Sequence, residues 1–438
     1  MKILMMTNSY FPMLGGIEQS IRSFSQAYRK MGHEVLIVAP TPANAQDAQE
    51  NVIRIPAIEH KKEPKFFINL PLPGTLHKIM RNFAPDIVHS HYPFFMGDYA
   101  LRLSRQHNIP LVFTYHTMFE HYAYYLPIPP SAAKRFTIKL AAGYANWAQQ
   151  VIAPSESVEA ILRHRGVKAP IEVVPTGVNI KAFAKGKPKE FRRHYHIPTD
   201  AFVVGHIGRL APEKNLKFLI PCLVEFLKHH PKAHALIAGQ GASVPMIHRS
   251  FQKAGLEKRL TMVEPLHDQE LADAYHAMDV FTFASLSETQ GMVLTEAMAC
   301  GTPVVALDAN GVREVVRDRR NGRLIKTLDR GQFVKALQWC HGLSPAKKRA
   351  LGQQARQTAK EFSLDRCARR MISIYKSLRS KEYVPLSDKD DSWREFVERI
   401  KAEVDILKNV VEAGEAAISM VKIRDIKKIG KLSDEKSV

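Results

Sequence analysis

Apolar runs of strand length alternate along the chain with helix-length segments whose apolar residues recur every three to four positions. The first series reads KILMMT, a helix over 17–31, EVLIVAP, a helix over 75–83, DIVHSH, a helix over 97–107, PLVFTYHT, a helix over 133–148 and QVIAPS. The second restarts with FVVGHIGRL, a helix over 215–229, AHALIAGQG, 243–254, LTMVEP, 268–277, VFTFAS, 291–300, PVVAL and GRLIK. The strands are apolar throughout, the pattern of a parallel sheet covered by helices on both faces. The repeat therefore predicts two doubly wound α/β domains. Between them, GVNIKAFAKGKPKEFRRHYHIPTD at 177–200 is polar, basic and aperiodic, and reads as a hinge. Such domains bind ligands beyond the carboxyl ends of their strands, so the two are expected to face a common cleft.

After Lys381 the pattern changes. Trp393, Phe396, Ile400, Val404, Leu407 and Val411 recur at helical spacing among many charges, and KIRDIKKIGKL follows. This predicts a helical, basic tail over 381–438, used for packing or oligomerisation, with membrane anchoring as the alternative. The 438 residues, 45% of them hydrophobic, suffice for two cores. Lys and Arg number 63 against 43 Asp and Glu, and the resulting +20 calls for an anionic partner. The charge is dispersed and no nucleic-acid-binding motif accompanies it, which excludes nucleic acid as that partner. Cys222, Cys300, Cys340 and Cys367 lack CxxC spacing and read as buried, reduced thiols. MKILMMTNSYFP is too short for a signal segment, and no stretch approaches the ~18 apolar residues of a membrane span. A cytoplasmic protein, in solution or at a membrane surface, is expected.

Three stretches carry chemistry. After KILMMT, Gly15 and Gly16 leave backbone N–H groups open to an anion at the start of a helix, although such a pair also serves a plain turn. GHIGRLAPEKN puts Arg209 at a strand end and Lys214 five residues on. A guanidinium fork and a point charge suit a diphosphate, solvated surface cations being the alternative. In SETQGMVLTEAMAC, Glu288 lies in a loop just before a helix and Glu296 inside that helix, about two turns beyond Glu288. The amides of Thr289, Gln290 and Gly291 between them sit at a positive helix end and suit phosphate oxygens. Carboxylates touching that phosphate would repel it, so Glu288 and Glu296 read as acceptors for hydroxyls on either side, a sugar and a ribose. A capping glutamate plus a surface glutamate is the plainer alternative. The DxD match, Asp388-Lys389-Asp390, reads as a solvated loop, and no metal site is expected.

GGIEQS, YHT at 115–117, GRLAPEKN, the E-x7-E stretch and GTPVVA together resemble the retaining GT-B glycosyltransferases of the glycosyltransferase family 4 type, which include sucrose synthases and phosphatidylinositol mannosyltransferases. The resemblance runs in order over residues 1–380. It implies an acceptor-binding Rossmann-like domain over 1–180 and a nucleotide-sugar-binding one over 181–380, the last helix crossing back to the first. It further implies that Arg209 and Lys214 bind the donor diphosphate with Gly16 near it, that Glu288 holds hydroxyls of the transferred sugar, that the Gln290 and Gly291 amides hold its β-phosphate, and that Glu296 holds the ribose. His116 matches the histidine that lies beside the reacting sugar; alone it would read as structural. The family transfers with retention, usually without metal and with no cofactor beyond the sugar nucleotide, the cations and helix dipole neutralising the leaving diphosphate. Glu264 stands where members commonly carry glycine near the base-binding turn, so the base is less defined than the sugar.

Glu288-Thr289-Gln290-Gly291, HSHYPFFMG at 89–97 and YHTMFEHYAYYLP at 115–127 look most like the diacylglycerol α-glucosyltransferases. That implies glucose from UDP-glucose moved to the 3-hydroxyl of diacylglycerol; phosphatidylinositol, a lipopolysaccharide core sugar or a soluble sugar are the alternative acceptors. Lys61, Lys62, Lys65, Lys78 and Arg81 interleave with Phe66, Phe67 and other apolar residues, as suits an anionic bilayer where each cation contributes about 1 kcal/mol. An ordinary amphipathic surface is the other reading. Tyr122 and Tyr125 are candidates for the acceptor entrance or for packing. The expected location is the inner face of the cytoplasmic membrane.

Overall fold

From Ile3 to Met6 every residue of β1 (Lys2–Met6) is fully buried, so a run with no polar alternation becomes the middle of a sheet covered on both sides. The computed structural model describes residues 1–13, 15–41, 51–60, 63–69, 80–121, 128–379 and 391–418. Met1–Pro154, Val158–Val174 and Arg369–Val438 form one compact unit, and Ser155–Ser157 with Pro175–Ala368 a second.

In the first unit, β1 is joined by β2 (Glu34–Pro40) and β3 (Val52–Ile55); β4 (Ala57–His60) and β5 (Glu63–Asn69) make a separate antiparallel hairpin. β6 (Ile87–Ser90), β7 (Leu111–Thr114), β8 (Gln150–Ala153) and β9 (Ile171–Val173) complete a parallel sheet of order β3-β2-β1-β6-β7-β8-β9. The order reverses between β1 and β6, which opens a crevice beyond their carboxyl ends. Asn8 fastens that point: its Oδ1 accepts from the Met96 amide at 3.0 Å and its Nδ2 donates to the Phe94 carbonyl at 3.2 Å.

The second unit carries β10 (Phe202–Ile207), β11 (Ala233–Ala238), β12 (Leu260–Val263), β13 (Val280–Phe283), β14 (Val304–Leu307) and β15 (Gly322–Ile325) in the order β12-β11-β10-β13-β14-β15, all parallel. Two apolar clusters line its faces, one around Val203, Leu236, Phe281 and Val304, the other around Val204, Ile237, Val280 and Val305. The alternation along each strand sends neighbouring residues to opposite cores. Here the order reverses between β10 and β13.

Helices at Gly16–Lys30, Met96–Gln106, Pro130–Ala145, Leu216–His229, Val244–Lys253, Asp268–Ala277 and Met292–Cys300 fall where the periodicity put them. Of the helix expected over 75–83, residues 80–83 are helical and 75–79 lie outside the described residues. The segment 177–200, expected as the hinge, lies within the second unit. It folds as the helices Ile180–Phe183 and Pro188–His194, Phe191 and Ile197 are buried in the second unit's core, and Arg192 donates to the Ala277 carbonyl at 2.7 Å and to Asp279 at 3.1 Å. Helices this short give no readable period, and their anchoring depends on two apolar side chains set among many cations.

The tail forms the helix Asp391–Ile418, packed against helices Pro130–Ala145 and Met96–Gln106 of the first unit. Of the two uses expected for the tail, packing or oligomerisation, packing is made by small residues rather than by the apolar stripe. Ala402, Asn409, Ala413 and Ala417 are buried, while Val404, Leu407 and Val411 are exposed. Small residues let the backbones approach, and Gly143 makes room, since a Cβ there would lie 1.8 Å from Asn409 Oδ1. Arg102 and Arg105 pair with Glu403 at 2.6 Å and Asp405 at 2.7 Å, and Arg135 caps the Ala416 and Ala417 carbonyls. No described helix is long and apolar enough to cross a membrane. All four cysteines are free and buried.

Candidate active site

In the second unit, the polar groups gather where β10 and β13 part. Arg209 follows β10, Lys214 closes the 3-10 turn Pro212–Lys214, and the loop 285–291 follows β13. Asn215, at a φ of 55°, turns the chain into helix Leu216–His229, and its Nδ2 donates to the Ala284 carbonyl at 3.1 Å. That bond ties the Lys214 turn to the end of β13. Lys214 Nζ donates to Glu288 Oε1 at 2.6 Å, with the two side chains 22% and 15% exposed. Burial pushes the Glu288 carboxyl up, but the Lys214 charge and the hydrogen bonds from Lys214 and Ser285 outweigh it, and the group is held below its ordinary 4.5. Arg209 pairs with Glu213 at 2.6 Å and is 45% exposed. Each cation thus has a carboxylate beside it, and an arriving diphosphate would have to draw both away from those partners.

Loop 289–291 is braced from behind. Gln290 is buried and grips Thr176 at both ends, its Oε1 accepting from the Thr176 amide and its Nε2 donating to the Thr176 carbonyl, each at 2.6 Å. Ser155 Oγ donates to the Thr289 carbonyl at 2.7 Å. Gly311, at a φ of 71°, lies under the loop, where a Cβ would come within 2.6 Å of the Gln290 nitrogen. The side chain of Gln290 is therefore structural, and what it leaves to a ligand is main-chain amide. Gly291, left-handed at a φ of 69°, caps helix Met292–Cys300. One turn into that helix, Glu296 accepts from Tyr275 Oη at 2.9 Å. Burial pushes its carboxyl above 4.5 and the Tyr275 bond offsets only part of this, so further hydroxyl donors would stabilise the anion. Glu264 follows β12 and is exposed, and Gln240 Nε2 donates to it.

The first unit collects histidines. His89 and His91 lie at the end of β6 and His116 just beyond β7. His91 Nδ1 and His116 Nε2 are 2.9 Å apart, His89 Nε2 meets Thr114 Oγ1 at 2.7 Å, and Tyr375 Oη meets His89 Nδ1 at 2.6 Å. The His89 and His91 rings are tilted with centroids 4.2 Å apart, and those of His91 and His116 are stacked at 5.2 Å. Burial lowers all three, His89 and His116 to about 3, with the neighbouring imidazoles adding to it at His89 and His91. The cluster is neutral near pH 7 and can pass hydrogen-bond polarity but not charge. His89 and His91 entered the sequence reading only within a resemblance; their i, i+2 spacing on a strand, which sends both to one face, was the missed signal. Gly15 precedes helix Gly16–Lys30, and a Cβ on it would lie 2.5 Å from Glu18 Oε2. Glu18 is buried and accepts from Ser9 Oγ.

Of the basic and aromatic surface residues, Lys61, Lys62, Lys78, Tyr122 and Tyr125 lie outside the described residues. Lys65, Phe66 and Phe67 belong to β5, and Arg81 is exposed.

Two doubly wound units, each with a polar cluster at its topological switch point, one of them with paired cations and carboxylates over a helix N-terminus, define a nucleotide-handling enzyme of two Rossmann-like domains. Residues 14–182 match Glycosyltransferase Family 4 and residues 188–358 match Glycosyl transferases group 1, and the chain belongs to the GT-B glycosyltransferases. It is 29% identical over 340 residues to an alpha-monoglucosyldiacylglycerol synthase of Acholeplasma laidlawii, covering 74% of this chain and 84% of that one. It is 28% identical over 344 residues to a GDP-mannose-dependent alpha-mannosyltransferase of Mycobacterium tuberculosis, covering 77% and 86%. The crystal structure of Anabaena HepE in complex with UDP-glucose superposes with a TM-score of 0.69 at 22% identity, over 86% of this chain and 99% of that one.

Proposed function

We propose that this glycosyltransferase moves glucose from UDP-glucose to the 3-hydroxyl of 1,2-diacylglycerol, with retention of configuration and without a metal, at the inner face of the cytoplasmic membrane. The observation that carries the donor half is the Lys214–Glu288 pair at the β10/β13 switch point, beside the amides of Gln290 and Gly291. A sugar diphosphate satisfies such a pair when its phosphate takes Lys214 and its sugar hydroxyls take Glu288. Arg209 then joins Lys214 on the diphosphate, the helix dipole faces the β-phosphate, and Glu296 receives the ribose hydroxyls. Charge that builds on the leaving diphosphate is met by fixed cations and amides, so these side chains supply the electrostatic stabilisation. Neutral His116, held by His91, offers a hydrogen bond to the transferred sugar, and Gly15 and Gly16 leave room for the donor.

The lipid half is supported by the likeness to the Acholeplasma synthase, whose name specifies a glucosylated diacylglycerol, and by the cations interleaved with Phe66 and Phe67. The likeness to a GDP-mannose-dependent mannosyltransferase supports a second reading, mannosyl transfer to a different acceptor such as phosphatidylinositol. One assay separates them. Purified protein is incubated with UDP-glucose or GDP-mannose and with vesicles containing diacylglycerol or phosphatidylinositol, and products are identified by mass spectrometry and the anomeric centre by NMR. Product from UDP-glucose and diacylglycerol alone, with an α linkage and undiminished by EDTA, is expected. Transfer only from GDP-mannose, or no transfer to diacylglycerol, would overturn the proposal.

A further inference from the structure

Among the described residues, the large apolar side chains that face solvent concentrate on one element. Val404, Leu407, Val410 and Val411 of helix Asp391–Ile418 are 57%, 65%, 42% and 51% exposed. A helix already docked through Ala402, Asn409, Ala413 and Ala417 would gain nothing by carrying a second apolar face unless something covered it. On that face Val404 and Val411 take one seam position, a, and Leu407 the other, d. The sequence keeps the same seven-residue period on either side, with Val397 and Ile418 in the register of a and Ile400 in that of d. β-Branched residues at a with Leu at d are what a two-stranded parallel coiled coil selects, and Val404, Leu407 and Val411 follow that rule. Gly414 occupies the next d position, so the seam rests on the heptads between Val397 and Val411.

We propose that the tail helix pairs with the same helix of a second copy as a parallel two-stranded coiled coil. The flanking charges fit this orientation. Glu403 falls at g and Lys408 at the e position five residues on, so in a parallel pair Glu403 of each copy meets Lys408 of the other. Glu403 remains 49% exposed while bound to Arg102, and Lys408 is exposed. Antiparallel pairing about the centre of that seam, near Val404, would set Lys408 against Lys401 at the facing e position. A membrane fits less well, since Glu403, Glu412 and Glu415 are interspersed with Lys401 and Lys408, whereas an interfacial helix keeps a cationic polar face.

The test uses the full chain. Sedimentation across a dilution series is expected to give twice the 49.5 kDa chain mass, and Leu407→Glu, which puts a carboxylate in the seam of both copies, to raise the dissociation constant by at least ~10² while leaving circular dichroism unchanged. Val404→Cys and Val411→Cys lie about 10.5 Å apart along the helix. Parallel pairing in register predicts that each alone gives a disulfide-linked dimer on mild oxidation. Cross-linking by only one of them would overturn the parallel arrangement. A monomer at every concentration would overturn the proposal, as would a chain that stays monomeric but floats with phosphatidylglycerol–phosphatidylcholine vesicles through Leu407.

Discussion

Replacing Lys214 by Ala removes one side of a largely buried ion pair in the second unit. Lys214 Nζ lies 2.6 Å from Glu288 Oε1, and both side chains are largely shielded from water, so neither solvent nor salt can replace the lost ammonium well. Two effects follow. The Glu288 carboxylate, already penalised by burial, loses its main counter-charge, which is expected to cost folding about 1–3 kcal/mol. Loss of a preorganised donor from the departing diphosphate is expected to cost about 2.7–4 kcal/mol in the barrier, or ~10²–10³ in kcat. Because the diphosphate is charged in the ground state as well, KM for the sugar nucleotide should rise too. Initial rates for Lys214→Ala, Glu288→Gln and the double variant, with melting temperatures measured alongside, separate the two effects. If the pair serves the reaction, each single loses at least ~10² in kcat and the double is far from additive, as for groups acting as one unit. If it serves only the fold, the double regains stability and all three folded variants turn over within about threefold of the parent, which would refute the assignment.

Three further outcomes follow from the same geometry. Gly311→Ala places a Cβ 2.6 Å from the Gln290 nitrogen at a φ of 71°, so it is expected to lower the melting temperature and to reduce turnover more than distance from the substrate would suggest; an unchanged rate would show that the 289–291 loop tolerates displacement. Gln290→Leu leaves the amide and carbonyl of Thr176 without their 2.6 Å partners and is expected to cost about 1–3 kcal/mol for each group in urea unfolding, with KM for the donor rising because the loop loses its brace. The histidine cluster makes stability pH-dependent. Folded His89 and His116 titrate near 3 against an ordinary 6.5, so below 6.5 the unfolded chain takes up protons that the folded one refuses. Stability is then full above about pH 6.5 and falls as pH drops toward 3, and His89→Gln should flatten that slope in urea titrations at successive pH values.

Strand and helix positions were legible because burial on both faces leaves an uninterrupted apolar run, and a helix packed on one side leaves a period. The β3 strand, the β4–β5 hairpin, β9 and the two short helices in 177–200 escaped because three to seven residues carry too little period to read, and their placement depends on partners distant in sequence. The polar groups that gather at the β10/β13 switch point were legible as types and spacings. Arg209, Lys214, Glu288, Gly291 and Glu296 all lie at or just after strand ends within strand-loop-helix units, an arrangement that is local in sequence.

What the tertiary structure alone decided is how those residues are held. Gln290 read as part of a ligand loop, yet its side chain is spent on Thr176, 114 residues away. His116 read as an isolated strand-end histidine, yet it leans on His91 and belongs to a network that ends in Tyr375, a residue that meets His89 across 286 positions. In the tail, the amphipathic period was plain, but which side would pack was not. The stripe suited packing or oligomerisation alike, Leu and Val outranking Ala in apolar area, whereas the docking partner selects on closeness of approach and takes the alanines. Residue types, spacings and periods are written locally into the chain, and the assignment of each face and each hydrogen bond depends on which distant surfaces the fold brings against it.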